Sequence, residues 1–131
     1  MANPNLFAAT TASGTVAYLT PSGTTALVLI RNAASSNTVL KINQIVAANV
    51  NGSAAVDTTV SIYTNGGQSP GSAPSGGTAY PVVSTVSVPA DASLIVTDKT
   101  TAIYLMEDQS IVVTSGTASG ITYTISYEII S

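Results

Sequence analysis

The sequence predicts an all-β fold: an antiparallel β-sandwich, jelly-roll-like, with about eight strands. Three observations carry this expectation. Apolar and polar residues alternate in short runs, the runs are separated by Gly, Asn, Ser, Pro and Asp, and no stretch sustains a helical period. Eight or nine short strands with turn chemistry between them are the pattern of a sandwich, and a jelly roll is one such sandwich.

Taken in order, the candidate strands are "GTVAYLT", "TALVLIR", "TVLKINQIVAAN", "TTVSIYT", "YPVVSTVSV", "SLIVTD", "AIYLM", "SIVVTS" and "ITYTISYEII". The last alternates most clearly. Ile121, Tyr123, Ile125, Tyr127 and Ile129 fall on one face, expected to be core, and Thr122, Thr124, Ser126 and Glu128 on the other. "TALVLIR" differs, because Leu27 and Leu29 are apolar as well as Val28 and Ile30, so both faces need cover. The expectation is either a central strand buried twice within one sandwich or a strand whose outer face meets a neighbouring subunit.

Two segments lack alternation. Residues 1–12, "MANPNLFAATTA", read as a flexible amino-terminal arm carrying Leu6 and Phe7, either tucked onto its own domain or docked on a neighbour. Residues 13–131 read as a single sandwich domain. Within it "NGGQSPGSAPSGGTA", residues 65–79, reads as a long mobile loop, either functional or disordered.

Composition narrows the function classes. Charged residues are 7% of the 131-residue chain, against about 25% in an average domain. A surface of hydroxyls and amides repels its own copies weakly, which favours a homo-oligomer or a subunit of something larger. Net charge is −3, and Arg31, Lys41 and Lys99 are scattered, so nucleic acid is not an expected partner. The longest strongly apolar run, Ala26–Ile30, is too short to cross a bilayer, and the opening residues resemble no secretory leader. The expectation is a protein made and left in the cytoplasm of its producer, with no membrane partner.

The chemistry on offer is sparse. With no His and no Cys, neither a Ser-His-Asp triad nor a His or thiolate metal site can be built. Lys41 and Lys99 stand in no Ser-Lys motif, and no phosphate-binding Gly-rich loop is present. Glu107 with Asp108, or Asp91 with Asp98, are the remaining acid-base material, and a facing carboxylate pair is what glycoside hydrolysis needs. Asp91, Asp98 and Asp108 stand at turn positions, where Asp bonds local backbone amides, and that is the preferred reading. No Ca²⁺-binding loop motif appears. The sequence therefore predicts no catalytic residue, no cofactor and no metal site.

The carboxyl-terminal half, "VPADASLIVTDKTTAIYLMEDQSIVVTSGTASGITYTISYEIIS", resembles the small all-β virion structural proteins of tailed bacteriophages, especially cyanophages and marine phages. The shared pattern is a Pro-small-Asp turn into "SLIV", an "IYL" strand meeting an acidic "EDQSI" turn, and a closing "ISYEI" strand. "LKINQIVAANVNGSAAVDTTVSIYT" fits as well, and the likeness spans about three quarters of the chain, from Ala26 on. It implies a non-enzymatic virion component assembled in the host cytoplasm: a capsid decoration or cement protein, partnered by itself and by the major capsid protein or other virion proteins. A homotrimer is favoured, because capsid surfaces offer threefold sites. Leu6, Phe7, Leu27, Leu29 and Tyr80 are the expected partner contacts. The alternative is a tail or fibre component, or a glycan- or receptor-binding module, with Tyr80, Tyr104 and the 65–79 loop as its contacts.

Overall fold

The computed structural model describes residues 5–65 and 67–131. Nine strands follow one another: β1 (Ala12–Leu19), β2 (Leu27–Asn32), β3 (Val39–Asn49), β4 (Val56–Thr64), β5 (Thr78–Val88), β6 (Ser93–Thr97), β7 (Ile103–Leu105), β8 (Gln109–Ser115) and β9 (Ile121–Ile130). One 3-10 turn, Lys99–Thr101, separates β6 from β7. Every strand pair is antiparallel.

The strands form two sheets, β1-β9-β3-β6 and β2-β8-β4-β5, which we call sheets A and B. β7 pairs with Leu40–Ile42 of β3, and β6 with Ile45–Ala48 of the same strand. They are therefore two halves of one strand path, so nine segments fill eight positions in the order of a jelly roll. The break between them is built by Asp98. Its carboxylate accepts from the Thr100 amide and hydroxyl, while the Thr101 hydroxyl reaches back to the Asp98 amide, closing a capping box. Those bonds, the Thr100 hydroxyl first, hold the Asp98 carboxyl below its ordinary range.

Alternation explains the core. Ile121, Tyr123 and Ile125 of β9 are fully buried against Val56, Val60, Ile111 and Val113 of sheet B. Each such side chain contributes about 1.5–3 kcal/mol relative to exposure. The alternation relaxes further along. Tyr127 is half-buried and Ile129 exposed, because their partners on β1 are Thr15 and Ser13, too short to cover them. β9 is also an interior strand, lying between β1 and β3.

The expectation for "TALVLIR" is half met. Val28, Leu29 and Ile30 are all buried, but β2 is an edge strand, with β8 as its neighbour in the sheet. A bulge at Leu29, between the Val28–Val112 and Ile30–Ile111 pairs, turns both Leu29 and Ile30 into the core. Val28 faces the other way, and the chain's own 65–77 segment covers it. The Val28 amide donates to the Ser72 carbonyl at 2.8 Å, and the Gly71 amide to the Val28 carbonyl at 2.8 Å. Gly67 lies over Ser110 and the Arg31 stem. The Gly/Ser/Pro segment is thus tied at its middle to the β2 edge, and β5 begins at Thr78, inside the run expected as loop.

One hydroxyl bolts the sheets together. The Tyr123 hydroxyl donates to the Thr114 carbonyl at 2.8 Å and is hydrogen-bonded by the buried Thr58 hydroxyl, so a β9 side chain holds both β8 and β4. Burial raises the Tyr123 pKa to about 12. The neutral form is favoured in the folded state, so this stability is complete below pH 10, where an unfolded Tyr begins to ionise, and is lost as pH rises towards 12. Denaturant titrations at pH 8 and pH 11.5 should show a marked loss for the native chain. Tyr123→Phe should start about 1–2 kcal/mol lower at pH 8 and lose less over that interval.

Candidate functional site

The two outer faces of the sandwich are treated differently. On sheet B, Ser61, Ser110 and Val112 point away from the core yet are buried, and Gly67 lies against Ser110 while Gly71 and Ser72 bond Val28. On sheet A no segment among the described residues crosses the middle of the face, where Tyr18 and Ile95 stay exposed. The register aligns Tyr18, Thr124, Val46 and Ile95 in one row across all four strands. Tyr18 is 75% exposed and Ile95 58%.

At one end of that face lies a groove of about 350 Å³, lined by Leu6, Ala9, Thr10, Thr11, Ala12, Lys41, Tyr104, Glu128 and Ile130. Three elements build it. Lys41 of β3 stands between Glu128 of β9 and Tyr104 of β7 in the ladder, and its ammonium lies 3.9 Å from the Glu128 carboxylate. The arm forms the remaining wall. It is held there because the Thr10 and Thr11 amides donate to the Ser131 carbonyl and the Ser131 amide returns a bond to Thr11. The arm is therefore tied down from Thr10, and Ala12 already belongs to β1, so the expected boundary at residue 12 falls about three residues late.

The expected contact residues separate into three groups. Leu6 is half exposed at the groove, and Phe7, held by a turn in which its amide donates to Asn5 Oδ1, is fully exposed. Leu27 is half-buried. Leu29 is only 2% exposed: the bulge sends it into the core, so it is no surface contact. Tyr80 is exposed on β5, opposite Ile62 in sheet B, while Tyr104 stands in sheet A, so the structure does not bring these two aromatics into one platform.

Asp91, Asp98, Glu107 and Asp108 all stand in turns. Asp91 and Asp108 occupy left-handed backbone positions, and the Asp108 amide and carbonyl bond Asn32 and Asn65. Glu107 accepts from the Asn37 amide at 2.7 Å. Among the described residues no cluster of three or more His, Cys, Asp or Glu comes together, and no helix is long and apolar enough to cross a membrane. The groove offers one compensated ion pair, a phenol and two hydroxyls, a donor and acceptor set suited to binding.

Sequence reading did not single out Thr10, Thr11, Lys41 and Glu128, because only the placement of β9 between β1 and β3 brings them together. Compared with family models, with curated proteins and with solved structures, the chain finds no match.

Proposed function

We propose that this chain is a non-enzymatic structural subunit of a tailed-phage particle, a decoration or cement protein that self-associates and attaches to the major capsid protein. The observation that carries the reading is the inequality of the two outer faces. The longest loop covers sheet B, whereas sheet A keeps Tyr18 and Ile95 exposed and a groove walled by the arm, which also carries the exposed Phe7. A sheet face that bears one ion pair among Tyr, Val, Ile, small and uncharged polar residues is suited to a protein neighbour. Supporting this, the carboxyl-terminal half resembles small phage virion proteins, and jelly rolls recur in viral capsid domains. Fold alone assigns no function, so attachment has to be measured.

The arm supplies the test. Burying Leu6 and Phe7 in a neighbour contributes on the order of 3–5 kcal/mol, offset in part by ordering the arm. Over many copies a small surplus gives tight attachment. Removing Met1–Ala8 spares Thr10 and Thr11, whose bonds to Ser131 belong to the domain. The truncated chain should melt within about 2 °C of the full one and co-sediment with emptied capsids at least about tenfold more weakly. Full-length protein that fails to co-sediment with capsids would overturn the proposal.

The groove favours a second reading, a glycan-binding tail or fibre module. Tyr104 beside Lys41, Glu128, Thr10 and Thr11 is an aromatic surface with polar neighbours. Saturable binding to a defined sugar, abolished by Tyr104→Ala, would select it.

A further inference from the structure

The four sheet edges are defended unequally. The β2 edge is capped at Val28 by Gly71 and Ser72. The β5 edge contains Pro81 and two register shifts against β4. The β6–β7 edge is interrupted by the Asp98–Ala102 turn, which also carries Lys99. Among the described residues β1 has none of these devices. Its eight residues, "ASGTVAYL", pair one to one with β9 without a bulge, and they include no charge and no Pro. Proteins normally blunt such an edge, because a straight row of unpaired amides and carbonyls is a template for another strand.

The hydrogen-bond phase says which groups are open. Thr11 and Ser131 exchange both backbone bonds. In an antiparallel ladder bonded and non-bonded pairs alternate, so Ser13, Thr15, Ala17 and Leu19 bond to β9. Ala12, Gly14, Val16 and Tyr18 point their amides and carbonyls away from the sheet. Gly14 adds a second observation. Its φ is not positive, and a Cβ there would meet nothing within 4 Å, so neither its own backbone nor its packing requires glycine. Glycine within a strand weakens it and often marks a place where another backbone comes close.

We infer that β1 is a self-pairing edge: a second copy of this chain adds its own β1 antiparallel across a two-fold axis at Thr15, joining the two A sheets into one. Only this register satisfies all four open residues, with Gly14 opposite Val16 and Ala12 opposite Tyr18 in each copy. Large side chains then meet small ones, Thr15 meets Thr15, and no charge opposes another, since β1 carries none. The second copy is the occupant because the strand is complementary to itself in this way.

The edge is about 26 Å long, and with sheets about 10 Å apart it presents roughly 260 Å² per copy, about a third of each partner's share of a standard interface. Pairing is therefore concentration-dependent. It deepens the self-association within the proposed function and replaces the threefold expectation with a two-fold contact.

Sedimentation of the full chain from about 1 to 500 µM, with amide hydrogen exchange at both limits, tests this. The expected result is a monomer-to-dimer transition, with exchange slowed about tenfold or more at Gly14, Val16 and Tyr18. The amides of Thr15 and Ala17, already bonded to β9, should show no such gain. Val16→Pro removes an open donor without touching a β9 bond and should remain monomeric with an unchanged melting temperature. Val16→Lys, which keeps the amide, should weaken the dimer as well. A chain that is monomeric throughout, a trimeric mass, or a dimer that survives both substitutions overturns the inference. Capsid co-sedimentation is scored separately: wild-type protein that dimerises through β1 yet ignores capsids removes the phage reading and leaves the edge contact standing.

Discussion

Replacing Asn49 by Ala should lower stability by about 3 kcal/mol and the melting temperature by about 10 °C or more. Asn49 ends β3 and is 3% exposed. Its Nδ2 donates to the carbonyls of Ala54, Val88 and Pro89 at 2.8–3.1 Å, and its Oδ1 accepts from the Asn51 amide at 2.8 Å. One side chain therefore holds the β3–β4 turn against the exit of β5. Ala removes the donor and leaves those carbonyls inside the protein, each costing more unpaired than a formed bond gains. Asn51→Ala, at the more exposed end of the network, should cost under about 1 kcal/mol. Thermal denaturation followed by circular dichroism gives both values. A loss below about 1 kcal/mol for Asn49→Ala would mean that water takes over its bonds.

Gly77→Ala should cost about 2–4 kcal/mol and should release the segment that covers sheet B. Gly77 has φ +77°, and a Cβ there would lie 2.3 Å from the Asn65 carbonyl oxygen and 2.8 Å from that of Thr64. Backbone on both sides of the loop base would have to move. The segment's bonds to Val28 depend on that base, so exchange at the Val28 amide should accelerate more than the global loss of stability explains. Gly71→Ala is the control. Its φ is +86°, but the space around it is open, so it should pay about 1 kcal/mol of conformational strain alone. Denaturant titration combined with hydrogen exchange separates the two effects, and equal costs at both glycines would refute the steric account.

Strand positions were legible because alternation reports burial directly, and in a sandwich burial is most of what a strand must satisfy. What does the burying was not legible. Apolar residues on both sides of "TALVLIR" say that each side needs cover, and at Val28 a Gly/Ser/Pro run with no apolar anchor supplies it through backbone bonds and small atoms, which leave no hydropathic trace. Leu29 was assigned to the surface because strict alternation opposes it to Val28 and Ile30, and a one-residue bulge is invisible to that rule. Nothing in the sequence marks Asn49, since two of the three carbonyls it gathers, those of Val88 and Pro89, come from positions distant in sequence. The groove and the β1 edge share this origin. Strand order decides which strand is left at an edge and which side chains of β3, β7, β9 and the arm become neighbours, and the periodicity of a strand says nothing about order.

The interior place of β9 has a consequence for how the chain reaches this state. Of the nine strands described, β9 is synthesised last, and it inserts between β1, made about a hundred residues earlier, and β3. Until it arrives, sheet A has a gap at its centre, and the inner faces of β1 and β3 have no common partner. Ladder contacts between such remote segments incur the loop-closure entropy before they return any stabilisation, which puts all-β topologies in the millisecond-to-second range of folding times. During that wait the nascent chain presents two additional open edges with almost no charge to keep copies apart, the condition under which partly folded β proteins aggregate. For this topology, then, the speed with which β9 finds its slot governs the yield of correctly folded protein as much as the final stability does.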